Sequence, residues 1–137
     1  MRVSIVFETR TGTTAAAAEE MAGSLRAAGH DCTLASVFDA DPGKVSSAEA
    51  ICIGTWTKGY FIVMQHPTEA TLDFIRRLSL RGQPVAVFTT YRLAVGGTLR
   101  ELAMAVESSG GTVTGMYKSR GPRVPQGFEG WVRSLQR

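Results

Sequence analysis

The chain has 137 residues and a formal charge of +3, from fifteen Lys and Arg against twelve Asp and Glu. That length suits one domain, and 44% hydrophobic with 20% charged residues excludes disordered, collagen-like and coiled-coil classes. Such a mild positive excess demands no nucleic acid, and no apolar run approaches the roughly 20 residues of a membrane helix, so neither nucleic acid nor membrane is an expected partner.

Residues 3–7 form a short apolar run and predict the first strand. Behind it, Glu8-Thr9-Arg10-Thr11-Gly12-Thr13-Thr14 leads into a helical pattern over residues 14–28 that is rich in Ala and closed by Gly29, a residue suited to a left-handed cap. A second strand is predicted over 32–37. The stretch 38–48 is too short and too rich in Asp, Pro, Gly and Ser for more than one or two helical turns. A third strand follows at 50–55, then a helix over 68–80 opened by Pro67 and Thr68. A fourth strand at 85–88 stands behind Pro84, and a helix over 98–109 closes at Gly110 and Gly111. A fifth strand at 112–116 and a helix over 128–135 complete the chain.

Strand and helix alternate, and short continuous apolar runs are what strands buried on both faces look like. The expectation is a single α/β domain over residues 1–137, a doubly wound five-stranded parallel sheet with no internal repeat or linker.

The turn after the first strand lies where open α/β sheets bind ligands, and it offers unpaired amides at a positive dipole end. Thr9, Thr11, Thr13 and Thr14 add hydroxyl donors, and Gly12 lets the backbone approach an anion closely. The expected ligand is a phosphate monoester; threonine-rich helix starts also serve as plain caps, so both readings stand at this point. There is no Gly-Lys-Thr/Ser, and Gly12 is the only glycine in the turn, so triphosphate hydrolysis and dinucleotide binding are not expected.

Cys32 and Cys52 form no CxxC pair and no cluster of metal-ligand spacing, which excludes a zinc site and suits buried, reduced thiols in a cytoplasmic protein. His30 and His66 have no catalytic partner beside them in sequence, and no GxSxG or HExxH pattern occurs. No catalytic side chain is therefore expected, and any chemistry would belong to a cofactor.

Thr9-Arg10-Thr11-Gly12-Thr13-Thr14 matches the Ser/Thr-x-Thr-Gly-x-Thr loop that holds the phosphate of flavin mononucleotide (FMN) in flavodoxins, and at this motif the chain resembles that family. The resemblance extends to Gly54-Thr55-Trp56-Thr57-Lys58-Gly59 after the third strand, to Val85-Ala86-Val87-Phe88-Thr89-Thr90-Tyr91 at the fourth, and to the final helix with Trp131. It implies a three-layer, flavodoxin-like sheet of strand order 2-1-3-4-5, an order for which flavodoxin itself is the standard example.

By resemblance, Thr55, Trp56, Thr57, Lys58, Gly59 and Tyr60 form one ring-flanking loop, and Thr89, Thr90, Tyr91 and Arg92 the other. Trp56 and Tyr91 are the first candidates for the faces of the isoalloxazine, with Tyr60 behind them; packing of Trp56 against a helix is the alternative. Leu93 stands where some short flavodoxins carry an aromatic. The Lys58-Gly59 peptide stands where short flavodoxins have a peptide that flips to hydrogen-bond the flavin N5 once it is protonated, a movement glycine permits.

The departure from the family is electrostatic. Flavodoxins are typically acidic, whereas residues 50–68 and 74–99 contain no Asp or Glu and contribute Lys58 and Arg92. That implies a second reduction step less negative than an acidic flavodoxin's. It also implies redox partners different from those of acidic flavodoxins, docking at a neutral or positive rim to which Lys118, Arg120 and Arg123 also belong. The apolar stretch Tyr60-Phe61-Ile62-Val63-Met64 is read as buried under the third helix or as a surface for a partner or a second copy.

The expected function is an FMN-binding electron-transfer protein that shuttles electrons between redox partners. Alternatives are an FMN-dependent NAD(P)H quinone or flavin reductase, and a flavodoxin-like domain that binds no flavin. A response-regulator receiver fits poorly: Glu8 is the only acid near the first strand end, the third strand ends in Gly54-Thr55, and Lys118 is the only available lysine.

Overall fold

In chain order the elements are β1 (Arg2–Phe7), α1 (Thr13–Ala27), β2 (Asp31–Ser36), α2 (Pro42–Ser46), β3 (Ala50–Trp56), β4 (Lys58–Tyr60), β5 (Val63–His66), α3 (Glu69–Arg76), β6 (Pro84–Thr90), α4 (Thr98–Ser108), β7 (Thr112–Ser119) and α5 (Phe128–Ser134). This computed structural model describes residues 1–60, 63–91 and 96–135, and of 58–60 and 63–66 it describes the backbone alone.

Five strands pair in parallel in the order β2-β1-β3-β6-β7, which is the expected 2-1-3-4-5 arrangement with the hairpin strands set aside. The continuous apolar runs belong to the strands covered on both faces. In β3, Ala50 and Cys52 face one layer while Ile51 and Ile53 face the other, and in β6 Ala86 and Phe88 alternate with Val85 and Val87 in the same way. The first layer is packed by α1 and α5, through Ala18, Met21, Leu25, Phe128 and Trp131. The second is packed by α3 and α4, through Phe74, Ile75, Leu102 and Val106. Each fully buried Ile, Leu or Phe contributes on the order of 1.5–3 kcal/mol.

β7 departs from the expectation of burial on both faces. Its residues alternate between exposed and half-buried because it is an edge strand.

Local chemistry explains several helix ends. Gly29 takes φ 92 after α1, as the left-handed cap requires. Asp41 accepts the Gly43 amide ahead of the single-turn α2, and Thr68 accepts the Thr71 amide at the start of α3. α3 stops at Arg76 rather than at 80, with Leu78 and Leu80 buried in the connection to β6.

One element was not expected. Between β3 and α3 the chain forms an antiparallel hairpin, β4 with β5, pairing Lys58 with His66 and Tyr60 with Val63. Among the described residues no helix is long and apolar enough to cross a membrane, and no group of His, Cys, Asp and Glu is arranged to hold a metal. Cys32 and Cys52 are free and buried, and burial pushes both thiols above their ordinary range, Cys52 well above it.

Candidate functional site

The carboxyl ends of β1, β3 and β6 meet at the point where the strand order reverses. At β1 the chain turns through Thr9 to Gly12 into α1. Gly12 is the N-cap, with φ 91, and contributes no side-chain cap; the first turn holds no acid. The helix ladder begins at Ala16, whose amide donates to the Gly12 carbonyl at 2.9 Å, so the first-turn amides have no helical acceptor.

Thr9 Oγ1 accepts the Gly12 amide at 3.0 Å and fixes the turn, while the Thr11 and Thr13 hydroxyls lie 3.3 Å apart on the exposed side. A Cβ built on Gly12 would meet nothing within 4 Å. The loop therefore presents oriented amides, hydroxyls and the exposed Arg10 to open space, a donor set that fits a dianionic phosphate.

Beside this loop stand the two aromatics. The register of β3 with β6 places Trp56 opposite Thr90, and the Thr57 amide donates to the Thr90 carbonyl at 2.9 Å. Tyr91 follows one residue later, with its amide donating to the Ser119 carbonyl at 3.1 Å. Trp56 and Tyr91 thus leave neighbouring strands at the same edge, both half-buried. Among the described residues Trp56 belongs to neither apolar cluster. Each ring has a guanidinium over it: Arg10 lies 5.4 Å from the Trp56 centroid, and Arg120 lies 5.5 Å from that of Tyr91.

Behind the rings runs a chain of threonine hydroxyls. Thr14 and Thr90 pair at 2.6 Å, Thr57 and Thr89 at 2.9 Å, and Thr89 also donates to the Thr55 carbonyl at 2.7 Å. Thr55 pairs with Thr68 at 3.2 Å, and Thr68 with Thr71 at 2.7 Å. The chain ends on Glu8. Its Oε1 accepts the hydroxyls of Thr68 and, at 3.5 Å, Thr71, and its Oε2 accepts the Trp56 indole N–H at 3.2 Å.

Of the residues expected from sequence, Thr9, Arg10, Thr11, Gly12 and Thr13 form the exposed loop, and Thr55, Trp56, Thr57, Thr89, Thr90 and Tyr91 form the adjoining strand ends. Thr14 is buried with its hydroxyl turned to Thr90, which ties the start of α1 to β6 instead of opening onto the loop surface. Lys58, Gly59 and Tyr60 lie in β4 with their side chains outside the described set, so the peptide expected to flip lies within a strand of the hairpin. Arg92 and Leu93 lie outside the described residues, as do Phe61 and Ile62.

Two features escaped the sequence reading. Residues 50–68 and 74–99 contain no Asp or Glu, yet the Trp56 indole meets a carboxylate in Glu8, placed there because Phe7 pairs with Gly54 and the Glu8 amide donates to the Gly54 carbonyl at 3.1 Å. The two arginine–aromatic contacts likewise join residues distant in sequence. The signal for Glu8 was its place: an acid one residue beyond the end of β1, beside a strand that ends in a tryptophan with a single N–H donor.

A phosphate-ready helix start and a pair of aromatics at the switch point of a parallel sheet define a flavodoxin-like α/β protein, whose ligand edge suits a phosphorylated flat heterocycle. The flavodoxin family model matches residues 5–118, and the chain belongs to the flavodoxin family, which makes it an FMN-binding electron-transfer protein.

Solved structures share the fold. The two-electron reduced flavodoxin of Megasphaera elsdenii has a TM-score of 0.80 at 24% identity, over 97% of this chain and 98% of that one. The Streptococcus pneumoniae TIGR4 flavodoxin scores 0.77 at 18% identity, over 99% and 98%. A mutant flavodoxin of Fusobacterium nucleatum, bound to flavin mononucleotide, scores 0.68 at 20% identity, over 90% and 73%. No curated protein sequence matches the chain.

Proposed function

We propose that the chain holds FMN with its phosphate at the Thr9–Thr14 turn and its ring against Trp56 and Tyr91, and passes electrons between docked protein partners in the cytoplasm. The observation that carries this reading is the α1 N-terminus, which lacks a side-chain cap and any first-turn acid, on the sheet edge that also carries both aromatics. Bound FMN supplies the redox chemistry. The chain's own residues bind and orient it.

The first-turn amides and the hydroxyls of Thr11 and Thr13 neutralise the phosphate, with the exposed Arg10 beside them. Thr9 keeps the turn in shape through the Gly12 amide. Trp56 and Tyr91 exclude water from the ring faces, and the Lys58-Gly59 peptide in β4 is the candidate to meet the ring's N5 edge.

Partners are proposed to be acidic at their docking faces. Arg10, Lys118, Arg120 and Arg123 are exposed or half-buried, and among the described residues none of them is within 4 Å of a carboxylate. The test is reconstitution of the purified chain with FMN, followed by its absorption spectrum and anaerobic photoreduction. Visible flavin absorbance that co-purifies with the protein and bleaches reversibly is the expected result. Failure to retain FMN at micromolar concentrations overturns the reading, and NAD(P)H oxidation by the protein alone marks a reductase instead.

A further inference from the structure

Glu8 has an unusual assignment for a surface-edge carboxylate: its two oxygens serve two different elements. Oε1 takes the buried hydroxyls of Thr68, the N-cap of α3, and Thr71 in its first turn, while Oε2 takes the indole N–H at the end of β3. Its own backbone is fixed by the Gly54 carbonyl and by the β1–β3 register. An indole nitrogen is only a donor, and a half-buried indole without an acceptor is destabilised. Arg10, two residues on, lies over the face of the same ring.

We propose that Glu8 is the positioning residue of the ring site: it holds the Trp56 indole by its edge so that one face is presented to the flavin. The proposal rests on the FMN reading above, and makes the β1–α1 turn responsible for both halves of the site, the phosphate through Thr9 to Thr13 and the ring wall through Glu8.

Two substitutions separate tether from charge. Glu8→Met removes the acceptor at similar length. Glu8→Gln removes the charge but keeps one oxygen for the indole, while its amide N–H₂ donates to Thr68, whose hydroxyl accepts as readily as it donates. FMN affinity is measured for each by fluorescence titration, in the native background and in Trp56→Phe, which keeps an aromatic face without the N–H donor. The expected result is an about ten-fold loss for Glu8→Met, the order expected for a hydrogen bond to a charged group. Glu8→Gln should stay within about three-fold, and Glu8→Met should cause no further loss in Trp56→Phe.

Equal loss for Glu8→Met in both backgrounds, no loss in either, or a loss for Glu8→Gln as large as for Glu8→Met overturns the proposal. A readout on the flavin-free native protein stands beside these. The Trp56 indole N–H resonance, identified by its disappearance in Trp56→Phe, should exchange slowly with solvent, and exchange at the rate of a free indole overturns the proposal even if Glu8→Met does not fold. Should the native chain bind no FMN, the function reading fails, and slow indole exchange still reports the contact.

Discussion

The proposed phosphate half and the proposed ring half of the site lie on one sheet edge but are built differently. The phosphate half is a contiguous turn of six residues, Thr9 to Thr14, whose ligand groups are largely amides and hydroxyls of the turn itself. The ring half is assembled from the ends of β3 and β6, with Trp56 tethered by Glu8 from β1 and Tyr91 covered by Arg120 from beyond β7. Anion binding can therefore be encoded locally, through a helix end, whereas a shaped aromatic wall needs residues from several strands in register.

Two glycines put the largest effect on this contrast. A Cβ on Gly54 would sit 2.1–2.4 Å from ring carbons of Phe88, its partner on β6, so the ring half stands on a contact that tolerates no side chain. Gly54→Ala should lower stability by about 3 kcal/mol, the upper part of the overpacking range, and the melting temperature by roughly 10 °C. Gly12 has free space around it and is needed only for its φ of 91, so Gly12→Ala should lower stability by about 1–2 kcal/mol. Thermal and urea unfolding of the two variants check the order, and equal losses would break the contrast.

Ligand choice gives the next effect. Replacing Thr11 and Thr13 together by Val should weaken FMN binding by about 10- to 100-fold and leave riboflavin, which lacks the phosphate, unchanged. Trp56→Ala should weaken both ligands alike, by about ten-fold, since it removes a ring face that both use. Quenching titrations with the two flavins decide it. A loss of riboflavin affinity in the threonine variant would show that the halves are not independent.

The same division governed what the sequence disclosed. The sheet strands, the crossover helices and the threonine-rich turn were legible because each rests on contiguous residues, namely apolar runs, a Gly29 cap and a turn behind a strand, whereas the strand order came only with the resemblance to flavodoxins. Trp56 and Tyr91 were legible as aromatics at strand ends, but not what holds them. Glu8 reaches Trp56 through the pairing of Phe7 with Gly54, a fact of register that no local pattern carries. The β4–β5 hairpin was missed for a related reason. Its apolar stretch reads equally well as a buried loop, and only the antiparallel pairing of Lys58 with His66 makes it a pair of strands.

Charge gives a smaller effect. Arg10 and Arg120 lie over the two aromatics, and Glu8 is committed to three donors in the same wall. The second one-electron potential should lie above that of an acidic flavodoxin, and Arg120→Gln should lower it by roughly 35–45 mV at low ionic strength, for one charge at about 8–10 Å in an effective dielectric of about 40. The difference should shrink as salt is added. Anaerobic titration against reference dyes measures both. A potential unmoved by the substitution would assign the positive field to other residues.

The smallest effect comes from the opposite edge of the sheet and serves as the control. His30 precedes β2, buried, with Nδ1 3.1 Å from the N-terminal amine and Nε2 without a partner among the described residues. Burial, and secondarily the N-terminal ammonium, hold its pKa below the ordinary 6.5. A depressed basic group is protonated first in the unfolded chain. Its contribution to stability is therefore complete above pH 6.5 and is lost as the pH falls below that value toward the folded pKa. Urea unfolding at several pH values from about 7.5 to 5 should show a steeper decline for the native chain than for His30→Gln. FMN affinity also varies in this range, because the phosphate monoester itself titrates near pH 6. That profile should superimpose for the two proteins, since His30 touches neither half of the site. Displaced affinity profiles would mean that the amino edge of the sheet is coupled to the ligand edge, and the division between two locally built halves would then be incomplete.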